Sequence, residues 1–162
     1  MFKTVLLAVL LVSALTVKGV DVSELFNTST FKCMKNNGVT FVVPRAYYSS
    51  GGYDPNAPFN LQNARSAGLS TDIYMFPCRG KNVTDQVNDL VSHTTPALYN
   101  TVWITVETNP SSGCSWYDHS ASSNCEFVKE IAKSFISHRK NPGIYSSRSF
   151  WNTIMGSYEA CP

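Results

Sequence analysis

Two carboxylates and a group of aromatic side chains stand where short apolar runs of this sequence end. Asp21 follows Gly19 and Val20, and Glu107 closes a β-branched and aromatic run over residues 102–106. The ends of other strand-like runs carry Arg45, Tyr47, Tyr74, Phe76 and Tyr145. Enzymes that cleave glycosidic bonds typically use two carboxylates, and sugar rings stack on aromatic side chains beside them. A single aromatic residue in a strand more often belongs to the core, so the convergence of the whole set favours a sugar site.

Strand-like runs and helical patterns alternate along the chain, and these elements must bring the candidate residues together. The pattern predicts strands at 19–22, 39–48, 72–78, 98–107 and 143–146. It predicts helices between them, with Asn56, Thr84 and Ser123 as caps for three of these helices. About five βα units indicate a parallel sheet, either open and doubly wound or part of an eight-fold barrel. No nucleotide-binding glycine motif follows a strand, although periodicity alone does not choose between the two folds.

The amino-terminal residues predict export. Lys3 precedes an apolar run over residues 5–12, and Val17 and Gly19 suit a cleavage site, so residues 1–19 are expected to be a removed signal peptide. Its loss would leave 11 basic residues of the original 13 against 11 acidic ones. A neutral mature chain without a basic run argues against nucleic acid or a membrane as partner. We therefore expect one domain over residues 20–162 that is secreted or lies in a lysosomal or phagosomal lumen.

Five cysteines in an oxidising compartment favour disulfides over a metal site. The histidines lack ligand spacing, so no metal and no cofactor is expected. Cys114 and Cys125 bracket a short loop and are expected to pair, which leaves Cys33, Cys78 and Cys161 for one bond and one free thiol. Asn27 and Asn82 each begin an acceptor triplet for N-glycosylation.

Four stretches carry a resemblance to a known family. "GVDVSE", "FVVPRAYYSSGGYDPNA", "DIYMFPC" and "VWITVE" occur in this order, and "GIYSSRSFWNTIMG" follows them. Together they resemble the lysozymes of glycoside hydrolase family 25, in particular the invertebrate and protist branch. The resemblance covers nearly all of the chain after residue 19.

The resemblance implies a modified (β/α) TIM-type barrel that hydrolyses the β-1,4 bond between N-acetylmuramic acid and N-acetylglucosamine in bacterial peptidoglycan, in defence or digestion. Asp21 is similar to the first-strand aspartate of the family, and Glu107 is similar to the glutamate that serves as its general acid. The residues similar to the substrate groove are Arg45, Tyr47, Tyr74, Phe76 and Tyr145. A complete barrel of this kind is expected to be a monomer.

Two departures from the family pattern affect these expectations. The Asp-x-Glu motif reads Thr105-Val106-Glu107, so the carboxylate that normally accompanies the general acid is replaced by a hydroxyl. Two interpretations therefore stay open, a muramidase and a catalytically impaired peptidoglycan-binding protein. In addition, five βα units are counted where the family has eight strands, so we expect a carboxyl-terminally incomplete barrel. A truncated gene model or splice form is favoured over a degenerate paralogue or completion by self-association.

Overall fold

The strands form one sheet in which all the main neighbours are parallel. A computed structural model describes residues 17–157 and residue 161. In this part of the chain the strands are β1 Lys18–Val22, β2 Val39–Tyr48, β3 Gly52–Tyr53, β4 Ser70–Thr71, β5 Ile73–Met75, β6 Thr101–Thr105 and β7 Asn141–Tyr145. The main sheet order is β1-β2-β5-β6-β7, while β3 pairs antiparallel and β4 parallel with β2.

Helices connect the successive parallel strands, as the alternating pattern predicts. They are α1 Thr28–Asn36, α2 Ala57–Ser66, α3 Val83–His93, α4 Ala121–Ser137 and α5 Arg148–Met155, with a 3₁₀ turn at Pro96–Leu98. One face of the sheet packs against these helices: Ile73 and Ile104 lie in the same buried cluster as Leu90 of α3 and Ile131 of α4. The opposite face of the sheet carries the side chains that line a cleft.

Three helix starts differ from the expected caps. The Asn82 side chain, rather than Thr84, accepts a hydrogen bond from the Asp85 amide at the start of α3. Ser120, rather than Ser123, caps α4 in the same way. Asn56 stands at the start of α2 but makes no side-chain cap hydrogen bond. Polar residues cluster before each helix, so the residue that caps depends on where the preceding loop turns.

The expected Cys114–Cys125 disulfide is wrong. The structure contains the bonds Cys78–Cys114 and Cys125–Cys161, and it leaves Cys33 as an exposed free thiol. Short loop closure lowers the entropic cost of a bond, but it does not decide which sulfur atoms meet. Cys125 lies inside α4 and is buried towards the core, while the preceding loop returns to the end of β5, where Cys78 stands.

The expected signal peptide, residues 1–19, lies mostly outside the described residues; only its last positions, from Val17, are described, and Lys18 and Gly19 begin β1. No helix among residues 17–157 is long and apolar enough to cross a bilayer.

Candidate active site

A cleft of about 490 Å³ opens on the face of the sheet opposite the helices and reaches the carboxyl ends of its strands. Each of the five main parallel strands, or the loop after it, contributes side chains. Six of the seven residues selected from the sequence line it: Asp21, Arg45, Tyr74, Phe76, Glu107 and Tyr145. The strands bring these residues together because the carboxyl ends of parallel strands share one edge of a sheet.

Tyr47 does not reach the cleft, and its expected place in the substrate groove is corrected. It is 2% exposed and packs in the main core. The register between β2 and β5 shifts between Arg45 and Tyr47: Arg45 pairs with Tyr74, and Tyr47 pairs with the buried Met75. The extra residue in β2 reverses the expected alternation, so Tyr47 points to the helix side. This burial raises the pKa of Tyr47 to about 12, helped by the negative charges of Asp89 and Asp85.

Strand β6 and the two residues after it alternate regularly between the two faces of the sheet. Val102, Ile104 and Val106 are fully buried, whereas Trp103, Thr105 and Glu107 line the cleft. Thr105 is 4% exposed, and its Oγ1 atom has no hydrogen-bond partner among the described residues. Glu107 is partly exposed at the rim. The side chain that replaces the family's first carboxylate thus faces the same cleft as Glu107, but is neutral.

Arg45 is held in the cleft by a buried carboxylate, Asp54. The Arg45 Nε donates to Asp54 Oδ2 at 2.8 Å, and one terminal nitrogen donates to the Ser23 carbonyl at 3.3 Å. Asp54 is 1% exposed and also accepts from the Tyr48 hydroxyl at 3.1 Å and the Asn56 amide at 2.9 Å. Burial acts to lower the pKa of Arg45, but its hydrogen bond and attraction to Asp54 leave that pKa raised.

Tyr74 lies beside Arg45, with which it pairs on the neighbouring strand β5. Burial raises the pKa of Tyr74, and the positive charge of Arg45 opposes that rise. Arg45 therefore stays charged and Tyr74 stays neutral around pH 7, so this wall of the cleft combines a fixed cation with an aromatic hydroxyl.

Several cleft residues were missed by the sequence reasoning. Trp103 and Phe41 line the floor of the cleft, and each ring lies over a glycine of the neighbouring edge strand. A Cβ atom at Gly143 would overlap the Trp103 ring, and one at Gly19 would overlap the Phe41 ring. Counting back in steps of two from Glu107 would have found Trp103. Asp54, which holds Arg45 from outside the cleft lining, was also missed, although an aspartate before a proline is typical of a turn.

The cleft offers carboxylates, a guanidinium and aromatic faces, which suit general acid chemistry on a sugar. Within residues 17–157 and at residue 161, no three His, Cys, Asp or Glu side chains are grouped as metal ligands would be.

Comparisons with known proteins give a consistent result. A family model described as lysozyme-like protein 1 matches residues 13–162. The chain is 36% identical over 146 residues to "Probable GH family 25 lysozyme 2" of Dictyostelium discoideum, covering 88% of this chain and 66% of that protein. It is 33% identical over 162 residues to "Lysozyme-like protein 5" of Caenorhabditis elegans, covering 96% of this chain and 72% of that protein.

The fold is also that of a solved enzyme structure. The muramidase from Acremonium alcalophilum superposes with a TM-score of 0.75 at 18% identity, covering 87% of this chain and 70% of that one. The expected fold class, an α/β fold of the modified barrel type, is confirmed by this likeness. The chain spans between 66% and 72% of the length of these three proteins.

Proposed function

The chain belongs to the lysozyme-like proteins of glycoside hydrolase family 25, and from that premise we propose that it is a peptidoglycan-cleaving glycosidase. The bond cleaved is the β-1,4 link between N-acetylmuramic acid and N-acetylglucosamine. One observation carries the proposal: Asp21 and Glu107, which are 86 residues apart in the sequence, line the same aromatic cleft at the carboxyl ends of parallel strands.

In the proposed reaction Glu107 is the general acid. Its proton passes to the glycosidic oxygen as the bond to the sugar C1 breaks, while the substrate acetamido oxygen attacks C1. Asp21 orients the acetamido group and stabilises the positive charge that develops on the ring. Glu107, now a carboxylate, then takes a proton from the water that opens the cyclic intermediate, and the configuration at C1 is retained.

Aromatic and cationic groups of the cleft position the sugar chain. Tyr74, Phe76 and Tyr145 offer three ring faces, on which pyranose rings can stack, and two hydroxyls. Arg45, anchored by Asp54, offers a cation whose direction is fixed before substrate arrives.

Thr105 supports a second candidate, a peptidoglycan-binding protein with little turnover. A carboxylate at this position would favour the protonated form of Glu107 and stabilise a cationic transition state. The Thr105 hydroxyl is buried and neutral, so it supplies neither effect. The aromatic walls that bind sugars are unaffected by this replacement.

The experiment that separates the two candidates uses one preparation of bacterial cell walls. Clearing of a wall suspension by the protein, and its loss in Glu107→Gln, would support the glycosidase. Retention on sedimented walls without clearing would support the binding protein. Failure of both clearing and retention would contradict the proposed function as a whole.

The setting of the proposed activity is extracellular or lumenal. Two disulfides fit such a compartment, and the sequence at residues 1–19 predicts a signal peptide. We propose secretion, or delivery to a digestive compartment, with a role in defence against bacteria or in their digestion. Mass spectrometry of secreted material should find a terminus near Val20 and glycan on Asn27 or Asn82.

A further inference from the structure

The position of the Glu107 carboxylate depends on its backbone. No side-chain hydrogen bond to Glu107 is found in the part of the chain that the structure describes, and Glu107 lies beyond the last residue of β6. A general acid must reach the glycosidic oxygen within hydrogen-bond distance. The direction of its side chain must therefore be set by whatever holds the peptide groups on either side.

On the amino-terminal side of Glu107, the backbone of Val106 is hydrogen-bonded to the end of β7 and to the residue after it. The Val106 amide donates to the Tyr145 carbonyl at 2.9 Å, and the Ser146 hydroxyl donates to the Val106 carbonyl at 2.6 Å. The peptide groups next to Glu107 on this side thus continue the pairing of β6 with β7 beyond the strand itself.

On the carboxyl-terminal side, the buried side chain of Asn109 makes three hydrogen bonds to the surrounding backbone. Its Nδ2 group donates to the Ser49 carbonyl at 2.9 Å and to the Pro77 carbonyl at 3.1 Å. Its Oδ1 atom accepts from the Ser111 amide at 2.8 Å, and the residue is 8% exposed. Asn109 therefore joins the loops that follow β2, β5 and β6. Ser49 and Ser111 add a contact between their hydroxyls at 2.9 Å.

The loop after β5, which Asn109 contacts at Pro77, is itself held firmly. The buried Gln86 side chain accepts from the Cys78 amide at 2.8 Å and donates to the Cys78 carbonyl at 3.0 Å. The Cys78–Cys114 disulfide links this loop to the one after β6 a second time. The Pro77 carbonyl that Asn109 contacts therefore belongs to a loop whose position is restrained by hydrogen bonds and a disulfide.

We propose that Asn109 is a positioning residue for Glu107. Its three hydrogen bonds set the height and direction at which the Glu107 side chain enters the cleft, relative to Ser49 and Phe76 on the facing loops. The proposal rests on the proposed function for its effect on rate, but not for its effect on the backbone. A displacement of about 1 Å in a reacting group can cost about 10²-fold in rate, so loss of this contact should be measurable.

The chain contains a matched control, Asn124 in α4. It is 1% exposed, and its Nδ2 group likewise donates to two backbone carbonyls, those of Trp116 at 3.0 Å and Ile154 at 3.1 Å. Its Oδ1 atom accepts from Arg79 Nε at 3.1 Å. Asn124 does not line the cleft. The two asparagines share burial and the donation to two backbone carbonyls, and they differ in location and in the donor that their Oδ1 atoms face.

The first measurement compares Asn109→Asp with Asn124→Asp. Each change replaces donors by a carboxylate that faces two carbonyl oxygens, so both variants should be less stable. The loss should be smaller in Asn124→Asp, because the new carboxylate can pair with Arg79. On soluble peptidoglycan fragments, at equal folded concentration, Asn109→Asp should lower kcat about 10- to 100-fold with KM within about threefold. Asn124→Asp should keep kcat within about twofold. Equal losses of kcat in the two variants would mean that Asn109 is only structural, and would overturn the proposal.

The second measurement does not need turnover. Amide hydrogen exchange over residues 104–109, 47–50 and 76–80 should accelerate in Asn109→Asp and stay at wild-type rates in Asn124→Asp. Wild-type exchange rates in Asn109→Asp would overturn the proposal even if kcat fell. If the wild-type protein has no activity, the proposed function fails, and the exchange pattern alone decides the role of Asn109. Should Asn109→Asp not fold, Ser111→Ala removes only the Ser49–Ser111 contact, and should show a weaker form of both effects.

Discussion

Replacing Thr105 by aspartate would restore a second carboxylate to the cleft face of β6. Thr105 and Glu107 both line the cleft, and two residues along a strand span about 6.5–7 Å. The new carboxylate would act on the same reacting centre as Glu107 and Asp21. Thr105→Asp should therefore raise the rate of wall lysis.

The size of the effect follows from Coulomb's law. Two unit charges about 6.7 Å apart interact with about 2.5 kcal/mol at an effective dielectric constant of about 20. A cationic transition state at a similar distance from the new carboxylate would gain the same energy, which corresponds to an increase in rate of up to about two orders of magnitude. The same repulsion between carboxylates favours the protonated Glu107 that the reaction needs.

The substitution also has a cost in stability. Thr105 is 4% exposed, and its Oγ1 atom finds no partner among the described residues, so an aspartate there would be a buried charge without an identified donor. We expect the free energy of unfolding to fall by about 1–3 kcal/mol. The lysis rates must therefore be compared at equal concentrations of folded protein.

The assay measures the initial lysis rate of four proteins: wild type, Thr105→Asp, Thr105→Asn and Glu107→Gln. Asparagine has the shape of aspartate without its charge, so Thr105→Asn should lose less stability than Thr105→Asp and show no gain in rate. Glu107→Gln cannot donate the proton and should be inactive. An equal gain in Thr105→Asn would show that the effect is not electrostatic. Lysis by Glu107→Gln at the wild-type rate would refute the assignment of Glu107 as general acid.

The two disulfides and Tyr47 allow further tests. Cys78–Cys114 and Cys125–Cys161 have the same sequence separation of 36 residues, so loop entropy predicts a similar loss of about 4 kcal/mol when either pair is changed to alanine. Only loss of Cys78–Cys114, which joins loops at the cleft rim, should also lower the lysis rate per folded molecule; equal rates in both variants would contradict this. Burial raises the pKa of Tyr47 from 10.0 to about 12, so the folded state keeps a proton that the unfolded chain loses above about pH 10. The resulting stability is complete below about pH 10 and is lost as the pH rises through about 12. Tyr47→Phe should therefore flatten the decline of the denaturant midpoint between about pH 10 and pH 12; an unchanged slope would rule out this role for Tyr47.

Local patterns predicted the strands well where the run was long and uninterrupted. The second strand has the bounds expected from its β-branched and aromatic residues, Val39–Tyr48. The strand expected over 98–107 is shorter, Thr101–Thr105, because Pro96 starts a 3₁₀ turn that takes up Leu98. The helices were found by their apolar spacing, while their caps were displaced by up to three residues. These errors arise because a cap depends on the loop before it, which carries no periodicity.

Some features of the candidate site could be predicted from the alternation of residues along a strand, whereas others depend on contacts between distant parts of the chain. The positions of Glu107 and Thr105 on one face follow from the period of a strand, and the structure places both in the cleft. Tyr47 breaks this rule because a register shift in β2 cannot be read from residue types that suit both faces. Asn109 has partners 60 and 32 residues away, so no window of sequence reveals its bonds. A chemical group can thus be identified locally, but what holds it in place is a contact between distant loops. Mutations that leave every cleft side chain intact should therefore still be able to impair this site, and Asn109 is where that effect should be largest.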